Sequence, residues 1–216
     1  NIPAAKFETA KKWEVSDVLL RMIAGELKFP LFVKPANSGS SVGITKAHNI
    51  NELKTAVVEA GNYDTKILFE EMVEGREIEC AVLGNKKPEA SVPGEIKPTH
   101  EFYDYEAKHL DENGAVLEVP ASLTKNQIKE VQEMAIRTYR ALDCEGMARV
   151  DMFLKPSGKI VVNELDTLPG FTNISMYPKL WEASGLPYPK LLDRLIELAL
   201  ERKGERDVLK RSYNLT

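Results

Sequence analysis

Residues 149–166, RVDMFLKPSGKIVVNELD, contain two apolar segments separated by the turn sequence Lys155-Pro156-Ser157-Gly158. Proline second and glycine fourth suit a type I turn closed by a residue with positive φ, so the stretch predicts a β-hairpin. Side chains alternate between the two faces of a strand, and the loop length therefore decides which residues meet. A loop over residues 156–159 predicts four cross-strand pairs: Lys155 with Ile160, Phe153 with Val162, Asp151 with Glu164, and Arg149 with Asp166. A loop one residue shorter would place Asp151 and Glu164 on opposite faces.

This register gathers three carboxylates, those of Asp151, Glu164 and Asp166, on one face of the hairpin beside Arg149. Carboxylates this close repel one another unless a cation lies among them. Oxygen ligands of this kind suit Mg²⁺ or Mn²⁺. The alternative interpretation is a solvated acidic edge that Arg149 neutralises. Residues 167–178 form a loop with Gly, Pro and Ser that leaves the acidic strand end, and such loops carry function on rigid scaffolds.

A second candidate site follows the predicted buried strand 31–35, which carries Lys34. The next residues, 36–43 (ANSGSSVG), include Gly39 and Gly43, which allow positive φ and close backbone approach. Successive N–H groups and serine hydroxyls can surround phosphate oxygens. The segment is not a Walker A loop, because no GK[ST] follows it. Two interpretations stay open: a plain connector, and a phosphate-binding loop supported by the cation of Lys34.

The remaining secondary structure follows from periodicity and capping residues. Helices are predicted over 17–28, over 51–60 with Gly61 just after the C-terminus, from a capping box at Thr124 and Gln127, and over 189–202 ending near Gly204. The first helix is predicted to bury Val18, Leu19, Met22, Ile23 and Leu27, and the second Leu53, Val57 and Val58. Strands are predicted over 4–9, 66–70 and 77–83. Recurring hairpins among these elements indicate an α+β fold with mostly antiparallel sheets.

Composition limits the function classes. The chain has 216 residues, 43% of them hydrophobic and 29% charged, which is typical of a globular protein with ample material for a core. A net charge of −4 gives no reason to expect nucleic acid or an anionic membrane surface as a partner. Cys80 and Cys144 form no motif, which favours a reducing, cytoplasmic location. The chain opens without methionine, and we expect it to be a fragment.

The residues quoted so far resemble a known family. The run 148–178 is similar to the C-terminal signature of D-alanine–D-alanine ligases, members of the ATP-grasp superfamily, and Phe102-Tyr-Asp-Tyr-Glu-Ala-Lys108 matches the ω-loop of that family. The resemblance covers nearly the whole chain. It implies a two-lobed ATP-grasp fold, with residues 1–71 as the small lobe, residues 72–216 as the large lobe and nucleotide between them. It also implies a further N-terminal domain ahead of this chain.

The resemblance implies a role for each matching residue. The positions that correspond to ATP contacts are Lys34, Ser40, Ser41, Val42, Glu70, Glu71, Met72, Val73, Glu77, Phe102 and Lys108. Those that correspond to ligands of two Mg²⁺ or Mn²⁺ ions are Asp151, Glu164 and Asp166. Arg149, the Gly170 N–H and Ser40 correspond to catalytic groups, and His109, Ser175 and Met176 to the acceptor site. For Glu71, Glu74 and Glu79, we favour plain surface acids on a hairpin even with the resemblance in view.

The implied activity is ATP-dependent ligation of two D-alanines through an acylphosphate, for peptidoglycan precursor synthesis, by a protein that is a homodimer when complete. Two positions depart from the family pattern: His109 replaces the usual tyrosine, and Asp166 replaces the usual asparagine. His109 leaves a D-Ala–D-Ser or D-Ala–D-Lac ligase open as an alternative, and Asp166 could alter metal preference. A non-catalytic ATP-grasp module that binds nucleotide is a third interpretation.

Overall fold

The computed structural model of the chain describes residues 2–98, 115–172 and 175–210. The chain contains two antiparallel sheets, the first built from the first part of the sequence and the second from the rest. The first part of the chain contains β1 (Phe7–Lys11), α1 (Asp17–Leu27), β2 (Leu31–Pro35), β3 (Thr45–Ala47), α2 (Ile50–Tyr63) and β4 (Lys66–Glu71). The second part contains β5 (Arg76–Gly84), β6 (Glu89–Ala90), β7 (Gly94–Pro98), β8 (Ala115–Glu118), α3 (Lys125–Ala141), β9 (Gly146–Leu154), β10 (Ile160–Asp166), α4 (Met176–Ala183) and α5 (Tyr188–Asp207).

The first sheet has four strands in the order β1-β4-β2-β3. One face packs against α1 and α2. Its core comprises Leu31, Val33, Ile67 and Phe69 from the sheet, Leu20, Ile23 and Leu27 from α1, and Leu53, Ala56, Val57 and Ala60 from α2. Because side chains alternate along a strand, the intervening residues of β2 and β4 lie on the face without helices. Lys34 and Glu70 belong to that open face.

The second sheet has the order β10-β9-β5-β7-β8, with β6 also paired to β5. Helix α3 covers one face, where Val131, Ala135 and Tyr139 pack against Cys80 and Val150. Helices α4 and α5 cover part of the other face, where their apolar side chains meet Ala81, Leu83 and Ile96. The same face carries Glu79 and Asp151 further along β5 and β9, because these residues share the odd-numbered positions of those strands. A polar site therefore lies directly beside an apolar core.

The first residues of the chain contact the second sheet rather than the first. Ala4 forms an isolated parallel bridge with Val162, and the Val162 N–H donates to the Pro3 carbonyl. Strand β1 consequently begins at Phe7, later than the predicted residue 4. Among the described residues, no helix combines the length and the apolar character that crossing a membrane would require.

The helix faces differ from the prediction in two places. Val18 and Met22 of α1 are exposed, and so is Val58 of α2, whereas Leu20 is buried. Each helix carries apolar residues on more than one face, and periodicity alone does not tell which face meets the sheet.

The ends of two helices also lie beyond the predicted glycines. Helix α2 continues through Gly61 to Tyr63, and α5 continues through Gly204 to Asp207. An interior glycine costs only about 1 kcal/mol, which packing can override. The capping box at Thr124 and Gln127 is present as predicted.

Candidate active site

The hairpin of β9 and β10 positions the acidic residues through a β-bulge. Its loop covers residues 155–159 and is closed by hydrogen bonds from Lys155 N to Lys159 O (3.0 Å) and from Gly158 N to Lys155 O (2.8 Å). Near this loop Leu154 pairs with Ile160 and Met152 with Val162, so the predicted pairs of Ile160 with Lys155 and of Val162 with Phe153 are wrong.

Beyond the loop the register shifts between Val162 and Glu164, because one extra residue, Asn163, is accommodated there. The shift places Glu164 opposite Asp151 and Asp166 opposite Arg149, which confirms both of these predicted pairs. A straight strand would have paired Asp151 with Asn163. The bulge therefore decides that Asp151 and Glu164 share one face of the sheet.

Among the residues that the structure describes, Arg149 is the cation in contact with the two buried carboxylates of this face, Asp151 and Glu79. It donates from Nε to Asp151 Oδ1 and from Nη2 to Asp151 Oδ2, each at 2.7 Å. Glu79 Oε2 lies 3.1 Å from the same Arg149 Nε. Burial alone would lower the pKa of Arg149, but the charges of Asp151, Glu79 and Asp166 and the hydrogen bond to Asp151 overcome it and raise the pKa. The guanidinium is thus permanently charged, hydrogen-bonded to Asp151 and in ion-pair contact with Glu79.

Glu79 is the functional candidate that sequence reasoning missed. It is only 6% exposed, so its interpretation as a surface acid is wrong. Glu79 lies on β5, and strand pairing places it directly opposite Asp151 of β9. A cavity of about 50 Å³ lies here, lined by the acidic residues Glu77, Glu79, Asp151 and Glu164. Glu77 and Glu79 are two residues apart on one strand, a spacing that could have indicated a shared face.

The predicted metal ligands do not form a ready-made cluster. Within residues 2–98, 115–172 and 175–210, no three carboxylate, histidine or cysteine side chains converge closely enough to hold an ion. Both oxygens of Asp151 accept hydrogen bonds from Arg149. Asp166 Oδ1 accepts a hydrogen bond from the Leu168 N–H at 3.0 Å. The ligand type fits a hard divalent cation, because Asp151 and Glu164 are cross-strand partners and carboxylates supply only oxygen ligands. The metal role of these residues stays a prediction.

The open face of the first sheet carries a second charged pair. Lys34 Nζ lies 2.6 Å from Glu70 Oε1, and both side chains are largely buried. Phe32 is the cross-strand neighbour of Glu70, and its ring centroid lies 6.0 Å from Lys34 Nζ. A lysine held this way presents a fixed positive charge at the end of β2, directly before the Gly/Ser segment.

In the Gly/Ser segment, positive φ occurs at Ser40 (54°), Ser41 (61°) and Gly43 (73°). Of the two glycines that allow positive φ, Gly43 adopts it, and the two serines adopt the left-handed conformation as well. Non-glycine residues in this region are strained, and such strain is found most often at functional sites. At Gly43 a Cβ would approach Tyr63 Cδ2 to 2.5 Å, so the packing against α2 also requires glycine.

The connection between the sheets contains four of the residues that the resemblance assigns to ATP contacts. Glu70 and Glu71 end β4, and Met72 and Val73 follow. Glu71 is tied to the N-terminal segment: its N–H donates to the Lys6 carbonyl (2.9 Å), and its Oε1 accepts from the Lys6 N–H (3.0 Å). A cavity of about 340 Å³ lies at this connection, with Phe29, Met72 and Pro156 among its lining residues.

The loop after β10 leads to the N-terminus of α4. Ser175 is the N-cap residue, and its Oγ accepts from the Thr172 N–H at 2.9 Å instead of capping its own helix. A Cβ on Gly170 would come within 2.8 Å of this Oγ, so a larger residue there would displace the Ser175 hydroxyl. The Met176 side chain is 5% exposed and packed in the core, which leaves its backbone N–H as the group that could meet a ligand. First-turn N–H groups of a helix attract anions.

Three of the predicted site residues, Phe102, Lys108 and His109, lie outside the described residues. Ser40, Ser41 and Val42 lie in the Gly/Ser segment after β2, whereas Glu77 lies on β5 beside Glu79. The structure thus divides the described candidates among three places: the open face of the first sheet with its adjoining loop, the connection between the sheets, and the charged end of the second sheet with the start of α4.

Comparison with known proteins identifies relatives along most of the chain. A family model described as "D-ala D-ala ligase C-terminus" matches residues 1–197. The D-alanine–D-alanine ligase of Oceanobacillus iheyensis is 56% identical over 187 residues, which are 87% of this chain and 51% of that protein. D-alanine–D-alanine ligase A of Chromobacterium violaceum is 50% identical over 211 residues, or 98% of this chain and 58% of that protein. The chain spans about half the length of the curated relatives that it matches.

Solved structures also resemble the chain. The D-alanine–D-alanine ligase from Coxiella burnetii has a TM-score of 0.81 at 39% identity, covering 96% of this chain and 55% of that one. The VanG D-Ala:D-Ser ligase from Enterococcus faecalis has a TM-score of 0.82 at 38% identity, covering 91% of this chain and 57% of that one. These likenesses confirm the predicted α+β, ATP-grasp fold class.

Proposed function

The chain belongs to the D-alanine–D-alanine ligase C-terminal family, and from this premise we propose that it is the nucleotide-binding part of a ligase that joins two D-alanines with ATP. The observation that carries the proposal is the charged face of the second sheet, where Glu164 lies opposite Asp151 beside the buried Arg149. Family membership gives the reaction class, and this face supplies groups that such a reaction needs. In this proposal residues 1–71 and 72–216 are two lobes with ATP between them.

The binding of ATP needs cations for the phosphates and a surface for the base. Lys34 supplies a fixed cation beside the strained Ser40-Ser41 backbone, whose N–H groups and hydroxyls, together with Val42, can cover the phosphates. The connection at Glu70, Glu71, Met72 and Val73 would hold the adenine, and Glu77 would accept from the ribose hydroxyls. Phe102 and Lys108 are assigned to the same ligand by sequence resemblance alone.

Asp151, Glu164 and Asp166 would hold two Mg²⁺ or Mn²⁺ ions. Such ions, when bound, neutralise charge on the transferred phosphoryl group. The residues of the chain then orient the reactants. A D-alanine carboxylate oxygen attacks the γ-phosphorus and ADP leaves, which gives an acylphosphate. The amino group of the second D-alanine then attacks the acyl carbon, phosphate leaves, and the amine loses a proton.

The second step develops negative charge on the acyl oxygen. Arg149 can stabilise it together with the Gly170 N–H, because a buried, preorganised guanidinium acts with little screening. The hydroxyl of Ser175 and the Met176 N–H at the start of α4 would bind the carboxylate of the acceptor. Ser40 would lie over the substrates. We assign the complete protein to the cytoplasm, to peptidoglycan precursor synthesis and to a homodimeric state.

Nucleotide binding by these 216 residues is the first test. Titration calorimetry with a non-hydrolysable ATP analogue and Mg²⁺ should show one site per chain, because the proposed ATP and metal groups lie within these residues. Lys34→Met should weaken that affinity by about tenfold or more, since hydrogen bonds to charged groups are worth about 1.5–3 kcal/mol. Lys54→Met is the matched control, because Lys54 pairs with Asp17 on the exposed helical side of the first sheet. Equal affinities for both variants would contradict the assignment of Lys34.

Dipeptide formation by the complete gene product is the test of the reaction itself. ATP-dependent release of phosphate with D-alanine as the sole amino acid should be accompanied by an equal amount of D-Ala–D-Ala. Binding of Mg–ATP without any turnover in that protein would instead support the non-catalytic nucleotide-binding module.

The acceptor is tested separately, because one structural neighbour is named a D-Ala:D-Ser ligase at nearly the same identity as a D-Ala–D-Ala ligase. Ligation should be compared with D-Ala, D-Ser and D-Lac as acceptors across pH. The ordinary pKa of histidine is about 6.5, so an acceptor preference that depends on His109 should change as the pH passes through that value. His109→Tyr should restore preference for D-Ala and flatten the pH response. Unchanged preference and pH profile would place His109 outside the acceptor site.

A further inference from the structure

Glu79 has no part in the assignments above, yet it lies at the centre of the charged face. It is nine-tenths buried, opposite Asp151 on the neighbouring strand, and its Oε2 is 3.1 Å from Arg149 Nε. Burying a carboxylate is costly unless a partner compensates. The sheet therefore buries a second carboxylate beside a guanidinium that already donates hydrogen bonds to both oxygens of Asp151.

The geometry shows a conflict between two proposed roles of Asp151. As a metal ligand it would direct an oxygen toward a divalent cation, while here both oxygens accept hydrogen bonds from Arg149. The cation and the guanidinium repel each other, and a carboxylate shared between them holds each less strongly. Arg149 needs another anion in order to stay in place when Asp151 turns toward a cation, and Glu79 is the buried carboxylate within reach.

We infer that Glu79 is a positioning residue, which holds the Arg149 guanidinium so that Asp151 can serve a divalent cation without releasing Arg149. This inference rests on the proposed function and extends it. Glu79 touches neither substrate nor metal in this role; it acts through Arg149. Its contribution requires both the negative charge and the reach of a glutamate, because the contact spans two neighbouring strands.

The test separates charge from reach with two variants, Glu79→Gln and Glu79→Asp. Glutamine keeps the length and loses the charge, whereas aspartate keeps the charge and is one methylene too short for the contact. Mn²⁺ affinity is measured by electron paramagnetic resonance in the 216-residue chain with a non-hydrolysable ATP analogue. Both variants should weaken Mn²⁺ binding by about 10–100-fold, the usual effect of removing a group that orients a metal ligand.

Glu95→Asp is the matched control. Glu95 is equally buried in the same sheet and binds Arg76 through two hydrogen bonds, but it faces the side of α3. It should lose stability comparable to that lost by Glu79→Asp while keeping wild-type Mn²⁺ affinity. Thermal unfolding of all three variants measures the stability change directly, so loss of fold and loss of metal affinity are distinguished.

The outcomes are separable. Weak Mn²⁺ binding by both Glu79 variants, with the control unaffected, supports the inference. Wild-type affinity of Glu79→Asp beside a defective Glu79→Gln overturns it, because charge alone then suffices, and wild-type affinity of both variants overturns it as well. Failure of the unchanged chain to bind Mn²⁺ with nucleotide would instead contradict the proposed function.

Discussion

Replacing Arg149 with methionine is expected to lower the free energy of unfolding by about 3–5 kcal/mol, because the change leaves buried carboxylates without their shared cation. Asp151 accepts both guanidinium hydrogen bonds, and Glu79 lies 3.1 Å away. The Arg149 side chain is only 18% exposed, so solvent does little to screen the loss. The midpoint of thermal unfolding should fall by about 2–4 °C per kcal/mol. Urea and thermal unfolding followed by circular dichroism measure both quantities.

Arg76→Met is the matched control for this prediction. Arg76 also binds a buried glutamate, Glu95, but its side chain is 39% exposed, and Lys97 Nζ remains 3.8 Å from the same carboxylate. Its loss should therefore be smaller. A smaller loss for Arg149→Met than for Arg76→Met would show that the guanidinium does not stabilise the charged face.

Divalent cations extend the same experiment. Millimolar Mn²⁺ should recover part of the stability of Arg149→Met, because a cation between Asp151 and Glu164 can replace the positive charge of the guanidinium and binds only the folded state. It should recover none of the stability of Arg76→Met, whose carboxylate lies on the other face of the sheet. Identical responses of the two variants to Mn²⁺ would contradict a cation site on the charged face.

The hairpin shows how far the sequence predicts this site. The pairs of Asp151 with Glu164 and of Arg149 with Asp166 were predictable, because both strands are adjacent in sequence and a turn joins them. The predicted loop was one residue too short, and the bulge at Asn163 compensated for that difference. The local sequence does not distinguish a four-residue loop between straight strands from a five-residue loop followed by a bulge, because both arrangements satisfy the alternation of apolar residues.

Glu79 marks the limit of that reasoning. Its burial follows from the pairing of β5 with β9, strands that lie about seventy residues apart, and pairing at that distance depends on the whole sheet. The exposed Val18 and Met22 of α1 reflect the same limit, because the sheet selects which helix face is covered. Sequence resemblance identified the family and the candidate residues, whereas Glu79 as a second partner of Arg149 became apparent only from the packed structure.

Replacing Glu164 with glutamine is expected to reduce dipeptide formation by the complete gene product at least about a hundredfold, because a proposed metal ligand loses its charge. Glutamine keeps the shape and one carbonyl oxygen, so the hairpin should persist. The change also removes repulsion between carboxylates at facing positions, so the free energy of unfolding should stay equal or rise slightly. Phosphate release and dipeptide yield at saturating ATP measure the first effect, and thermal unfolding measures the second.

Glu133→Gln provides the comparison, because Glu133 is an exposed carboxylate on α3, where it pairs with the exposed Lys129, and lies outside the charged face. It should keep wild-type turnover. Mn²⁺ binding with a non-hydrolysable ATP analogue should weaken in Glu164→Gln and stay unchanged in Glu133→Gln, so that loss of metal is separated from a defect in later steps. Turnover near the wild-type level in Glu164→Gln would show that this carboxylate is not a ligand, even though the bulge places it opposite Asp151. In that case the charged face would serve chiefly to hold Arg149.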